Sequence, residues 1–456
     1  MNSIRAKLRK LPPAAVIKLL RKIFSLPAPA ARLILNDVTR ARTCHLPWIH
    51  RVKLNPHQNQ DWSGCWIGEN VEKLDEPALL QRIYEADVIL FYVHGGGFRI
   101  GSCTMYMDTN IAWIQVLKEK YNLNALIMSI DYRLAPEYKY PSPVEDVVRA
   151  YEHLIQKLGV NSEKVIVVGD SAGAALSLEM LFITHDPSMF EIVTEDVVDD
   201  EDDPAAAAAA ILTELPRPAG TVLISPLVTD ETTSESWKQN QKYDYITQYT
   251  AKVIKKDYFE AVTKGQKEPQ QQQVLGIAKL ETGFQAFLSP QVLMYIGNRE
   301  VLRDDAVQLA MKAEQDGVAW HTVIEDFVHD WFCVREVVKD KEALKRADDV
   351  FADFCYSSIG GSVHQNQAYC GSRVYTPTPR DSLLEAVKEE ASDEEEQEQE
   401  DDYTDSTRST SSVFDDFRLS KLSIFENSSR NEHVLPVVET PPGTLSSKRS
   451  ADVVFV

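Results

Sequence analysis

The stretch "VIVVGDSAGAAL", residues 165–176, decides how this chain folds. Val165, Ile166, Val167 and Val168 form a continuous apolar run, as expected of a strand buried on both faces. From Ala172 onward the Ala- and Leu-rich sequence suits a helix. Between them stands Gly169-Asp170-Ser171-Ala172-Gly173, a G-x-S-x-G that leaves no room for a loop. A strand that becomes a helix within so few residues must turn sharply, and bulkier side chains in place of the flanking glycines would collide. Such a turn projects Ser171 Oγ outward, with the positive end of a helix behind it.

Upstream, "ILFYVHGGGFRIGS" (residues 89–102) repeats the pattern of an apolar strand that ends abruptly, here in His94 and then Gly95, Gly96 and Gly97. Three glycines cost entropy to order but bring bare main-chain N–H groups close to another group. Acyl transfer through a serine builds negative charge on the former carbonyl oxygen. Each fixed N–H donor aimed there lowers the barrier by roughly 3–4 kcal/mol. The expectation is that Gly95 and Gly96 supply two donors and Ala172 a third. A phosphate-binding loop would continue with Lys-Ser/Thr, and Phe98-Arg99 stand there instead.

Around these two motifs, "ADVILFYV", "ALIMSIDY", "KVIVVGD", "GTVLISP", "QVLMYIG" and "WHTVIEDF" read as strands. Helix-length stretches such as Val144–Leu158 and Asp304–Gln315 separate most of them, which predicts an α/β fold with a mostly parallel central sheet flanked by helices. Three sections follow. Residues 1–82 form a basic, amphipathic segment that contributes part of a cap. Residues 83–358 form the catalytic domain, with an acidic insertion at 191–210 and a cap excursion at 230–288. Residues 359–456, rich in acids, Ser and Thr, bury too little apolar surface to order and are expected to be disordered.

The net charge of −21 misleads if read as a property of the folded body. Glu191 to Asp203 holds eight acids and no base, Asp381 to Asp405 thirteen acids against Lys388, and residues 1–42 ten bases against Asp37. Charge therefore says nothing about the substrate. The six cysteines are scattered without C-x-x-C or short Cys/His spacing, so neither a disulfide scaffold nor a metal site is expected, and no cofactor is implied. Lys18, Arg21 and Lys22 interrupt the apolar stretch a secretory signal would need, and no apolar run nears the roughly 18 residues of a membrane span.

In "AAVIKLLRKIFSL" (residues 14–26), Val16, Leu20, Ile23 and Phe24 share one helix face, with Lys18, Arg21, Lys22 and Ser25 mostly opposite. Two readings stay open: a helix on an anionic membrane surface, using residues 1–42, or a helix packed over the catalytic domain. Nucleic-acid binding is not expected, since aromatic interleaving and a matching motif are both missing. The expected location is cytoplasmic, or peripheral on the cytosolic face of an internal membrane, and not secreted.

Residues 94–98 and 169–173, with "DYRLAPEYKYPSPVED" between them, resemble the hormone-sensitive-lipase-like branch of the α/β-hydrolases, which includes arylacetamide deacetylase-like and fungal steryl-acetate hydrolase-like esterases. The resemblance spans roughly residues 85–356. It implies that Asp131, Arg133 and Glu137 are structural and that Ala174 stands where a glycine is usual. It also implies the order serine, acid, histidine, each on a loop after a later strand. In "GNREVLRDDAVQLA" the family register aligns the acid with Glu300, where Asp is commoner. Asp304 is the runner-up, its alternative being an acid at a helix start. In "IEDFVHDWF" the register gives His329, with His321 on the preceding strand. The expected function is that of a serine carboxylic-ester hydrolase acting on a small lipophilic acetyl-type ester. A lipase or arylformamidase would use the same machinery, and a receptor on the same fold would have lost the histidine.

Overall fold

The strands follow the apolar runs. Along the chain they are β1 (Ile49–Val52), β2 (Gly64–Ile67), β3 (Val88–Val93), β4 (Ala125–Ile130), β5 (Val165–Asp170), β6 (Gly220–Ile224), β7 (Gln291–Gly297) and β8 (Ala319–Glu325). This computed structural model describes residues 11–54, 61–187, 214–259 and 276–360, all within one unit spanning residues 1–375. The acidic insertion at 191–210, the Gln-rich run and the chain from residue 361 onward, with the expectation of a disordered tail, lie outside the described residues.

The strands form one sheet in the order β1-β2-β4-β3-β5-β6-β7-β8. From β4 to β8 all neighbours run parallel, while β1 and β2 add antiparallel at one edge. These two strands were not expected. At four residues each, they are too short for a period to show in the sequence, and they carry the sheet back to Ile49, inside the segment read as basic and amphipathic.

Among the described residues the α-helices of six or more residues are α1 (Pro13–Phe24), α2 (Ala28–Val38), α3 (Glu76–Tyr84), α4 (Met107–Tyr121), α5 (Ser142–Glu152), α6 (Ala172–His185), α7 (Glu235–Asn240), α8 (Gln248–Ile254), α9 (Arg303–Gln315) and α10 (Lys341–Ser358). Local chemistry sets their ends. Prolines open α1 and α2. Asp75 caps α3 by accepting from the Ala78 N–H at 3.0 Å, and Asp340 caps α10 in the same way.

The central strands alternate between two buried faces. Ile89, Phe91 and Val93 of β3 meet Val144 and Val147 of α5 and Leu176 of α6 on one side. Leu90 and Tyr92 meet Trp113 and Leu117 of α4 and Phe351 of α10 on the other. This two-sided burial is why these strands read as continuous apolar runs rather than alternating ones.

The apolar face of α1 is covered by protein: Val16 and Ile23 are buried, and Ile23 clusters with Ala31 and Leu35 of α2 and with Ile100. Arg21, from the opposite side of the helix, donates to the main-chain carbonyls of Gln241, Lys242 and Asp244. The buried part of this stripe thus packs on protein. No helix among the described residues is long and apolar enough to cross a membrane.

Candidate active site

Ser171 sits between β5 and α6 at φ 49 and ψ −115, a conformation most side chains avoid. Close backbone approach holds it there. A Cβ on Gly173 would lie 2.1 Å from the Val93 carbonyl oxygen, and one on Gly169 would lie 2.7 Å from that of Gly173. The Ser171 N–H donates to the Ile224 carbonyl at 2.8 Å, and its carbonyl accepts from the Leu227 N–H at 3.1 Å. The nucleophile's main chain is thus tied to the end of β6.

His329 lies in the loop after β8 and is 1% exposed. Its Nε2 is 2.8 Å from Ser171 Oγ. Its Nδ1 is 3.5 Å from Oε2 of Glu300, a residue with no exposure to solvent. Glu300 follows β7 by three residues, in a loop held from outside itself. The Val301 N–H donates to Asp244 Oδ2 at 2.8 Å, and Asn240 Nδ2 donates to the Glu300 carbonyl at 2.9 Å. The structure therefore brings together Ser171, Glu300 and His329. Asp304 goes elsewhere: its carboxylate accepts from the Ser236 N–H at 2.7 Å, at the start of α7. His321 is exposed on β8.

Burial raises the Glu300 pKa; the proximity of His329 and Ser225 opposes this, nearby Asp244 adds to it, and the result is about 7. Burial pushes His329 the other way, toward the neutral ring. The carboxylates of Asp330 and Glu300 outweigh it, so the imidazole pKa lies well above the ordinary 6.5. Asp170, fully buried behind the elbow, is raised by burial and by Asp330, although Tyr92 Oη donates to it at 2.5 Å.

The first glycine of the loop packs against the elbow. A Cβ on Gly95 would lie 2.3 Å from Asp170 Oδ2, and the Gly95 main chain favours the ionised form of that carboxylate. The Gly95 main chain thus lies against the Asp170 carboxyl. Gly96 takes φ 108, which suits glycine, and beyond it Gly97 faces only the Ile254 side chain of α8. His94 braces the loop, its ring stacked on Tyr132 at 4.4 Å and its carbonyl accepting from Tyr132 Oη at 2.7 Å. Phe98 stacks on Tyr258 at 3.9 Å. Arg99, buried, donates to Asp257 at 2.6 Å and to the carbonyls of Phe24 and Leu26, which ties the loop to the turn between α1 and α2.

Sequence reasoning missed Asp330, Asp244, Ser225 and Asn240. Only Asp330, next to the histidine, left a signal in the sequence. Among the described residues no group of three or more His, Cys, Asp or Glu side chains is placed to hold a metal ion.

A family model described as the alpha/beta hydrolase fold matches residues 90–333. An esterase of Acinetobacter venetianus is 27% identical over 239 residues, 52% of this chain and 64% of that protein. An arylacetamide deacetylase of Rattus norvegicus is 35% identical over 106 residues, 22% of this chain and 26% of that protein. The chain thus spans less than two thirds of either relative. Among solved structures, an esterase from the bacterial hormone-sensitive lipase family superposes with a TM-score of 0.54 at 23% identity, covering 76% of this chain and 98% of that one.

Proposed function

The chain belongs to the α/β-hydrolase family, in its hormone-sensitive-lipase-like branch, and from that premise we propose that it is a serine carboxylic-ester hydrolase working through Ser171, His329 and Glu300. The observation that carries this is the 2.8 Å separation of His329 Nε2 from Ser171 Oγ, with Glu300 at the opposite ring nitrogen. His329 takes the Ser171 proton at Nε2 as Oγ attacks the ester carbonyl, and Glu300 stabilises the imidazolium through Nδ1. The proton passes to the leaving alcohol as the tetrahedral intermediate collapses. Water then attacks the acyl-enzyme by the same route.

The N–H groups of Gly96, Gly97 and Ala172 bind the oxyanion, with Gly97 taking the place first assigned to Gly95. Ala172 heads α6, where a main-chain N–H has no partner within the helix.

A lipophilic short-acyl ester is the favoured substrate. A small crevice beside the elbow is lined by Ala175, Leu178, Leu227, Ile277 and Leu309, with Glu179 its charged member. Ile254, Tyr258 and Phe259 add apolar surface near the glycine loop. The name of one relative, arylacetamide deacetylase, favours an acetyl group.

A fluorophosphonate probe tests the reading. It labels the full chain, and Ser171→Ala abolishes labelling and lowers ester hydrolysis by about 10⁴-fold or more. Labelling that survives Ser171→Ala rejects the assignment. Comparing acetyl, butyryl and octanoyl esters then separates a short-acyl esterase, whose kcat/KM falls with chain length, from a lipase.

A further inference from the structure

Glu300 accounts for one side of the His329 ring, and a second carboxylate stands on the other. Asp330 Oδ2 lies 3.2 Å from His329 Nε2, the nitrogen that faces Ser171 Oγ. An acid on an open surface would be screened and mobile. Asp330 is only 3% exposed and is held in place. Its N–H donates to Ser225 Oγ at 2.9 Å, and Tyr245 Oη lies 3.5 Å from its Oδ2.

We propose that Asp330 is a positioning residue for the base, holding the imidazole from its Nε2 side and setting, together with Glu300, the pH at which Ser171 becomes a nucleophile. This rests on the hydrolase reading above and deepens it. The charges that face the ring come from separate elements. Glu300 comes from the loop after β7, Asp330 from the histidine's own loop, Asp244 from the segment between α7 and α8, and Asp170 from the elbow. Tyr245 adds a neutral ring edge at 5.5 Å.

All four of these groups are carboxyls, and each in its ionised form favours imidazolium over imidazole. Asp330 does so at the nitrogen that must be bare to accept the serine proton. The rising limb of activity against pH therefore lies above that of an ordinary histidine. Asp330 contributes to this independently of Glu300.

Asp330→Asn tests this in the full chain. The amide keeps the shape and loses the charge, and Asn tolerates the φ of 53 found here. The readouts are kcat/KM for a soluble acetyl ester and the rate of fluorophosphonate labelling, each followed from about pH 5 to 9. The limb is expected to move toward acid by about one pH unit or more. At one unit below the wild-type midpoint, the variant then keeps about fivefold more of its own plateau rate. Asp330→Gly, which also accepts a positive φ, gives the same shift and stands in if the first variant misfolds.

A limb that coincides with wild type in these variants overturns the proposal even if the plateau falls, because lost packing lowers the plateau without moving the limb. Ser171→Ala separates the two claims. A wild-type chain that neither hydrolyses esters nor takes the probe removes the hydrolase reading and this inference with it. Hydrolysis that depends on Ser171, with an unmoved limb, removes the inference alone.

Discussion

The elbow around Ser171 and the loop around Glu300 each bring one side chain to His329, but they are held in unlike ways. The elbow is built from contacts within the motif and with the end of the neighbouring strand. Gly169 packs against Gly173, and Gly173 against Val93 and His94. The acid loop is held by groups distant in sequence: Asp244, 57 residues before Val301, and Asn240, 60 residues before Glu300. The first arrangement is written into a dozen consecutive residues. The second exists only once the segment carrying α7 has docked.

The contrast can be broken most directly at the elbow. In Gly173→Ala the new methyl would lie 2.1 Å from one main-chain oxygen and 2.5 Å from another, and backbone has little freedom to yield. The expected cost is about 3 kcal/mol or more, with loss of probe labelling. Denaturant unfolding alongside labelling measures both. A variant of normal stability that still reacts would mean that the close approach is not what shapes the turn.

A change of nearly that size is expected at Glu300, this time read through pH. Its pKa lies at about 7 in the fold against an ordinary 4.5, so the folded state holds a proton that the unfolded chain releases. Stability from this group is fully present below about pH 4.5 and is lost as pH rises through 7, on the order of 3 kcal/mol in all. His329, also raised, acts in the same direction above 6.5. Unfolding free energies measured near pH 5 and pH 8 should therefore fall for wild type and fall less for Glu300→Gln. Equal slopes for the two proteins would contradict the assignment of this proton to Glu300. Stability and the proposed activity thus run in opposite directions with pH, since hydrolysis needs the neutral imidazole.

The smallest effect sharpens the comparison from the side of the distant partner. Asp244→Ala leaves the Val301 N–H without its charged acceptor, at a cost of about 2 kcal/mol. If the loop is held from afar, kcat should fall while KM changes little, and Asp244→Asn should recover part of the loss. A variant whose KM rises at constant kcat would place Asp244 in substrate binding instead.

The same division explains what could be read in advance. Strands β3 to β7 were legible because each is buried along nearly its whole length and so reads as an apolar run, while β8, partly exposed at the sheet edge, was legible from its Val, Ile and Trp residues. The edge strands β1 and β2 were not, being four residues long and set in a basic segment. Ser171 was legible from local context, whereas Glu300 and His329 needed a family register, since nothing in "NREVL" or "FVHDW" separates a catalytic group from a buried ion pair. Which two of Gly95, Gly96 and Gly97 turn their N–H inward is not legible in a run of three glycines, because it depends on where the Asp170 carboxyl lies. The contacts of Arg21 were not legible for a related reason. A basic residue opposite an apolar stripe looks solvated until three carbonyls from residues 241–244 arrive to meet it.

The grip of Arg99 on the turn at Phe24 and Leu26 bears on where a working fragment of this chain can start. A cut at residue 83, the boundary suggested by composition, keeps the proposed triad and the glycine loop. It also strips two strands from the sheet and leaves the Arg99 guanidinium with Asp257 alone. The smallest autonomous unit therefore includes the N-terminal hairpin of helices, which belongs to the architecture of the cleft as much as any residue that follows it.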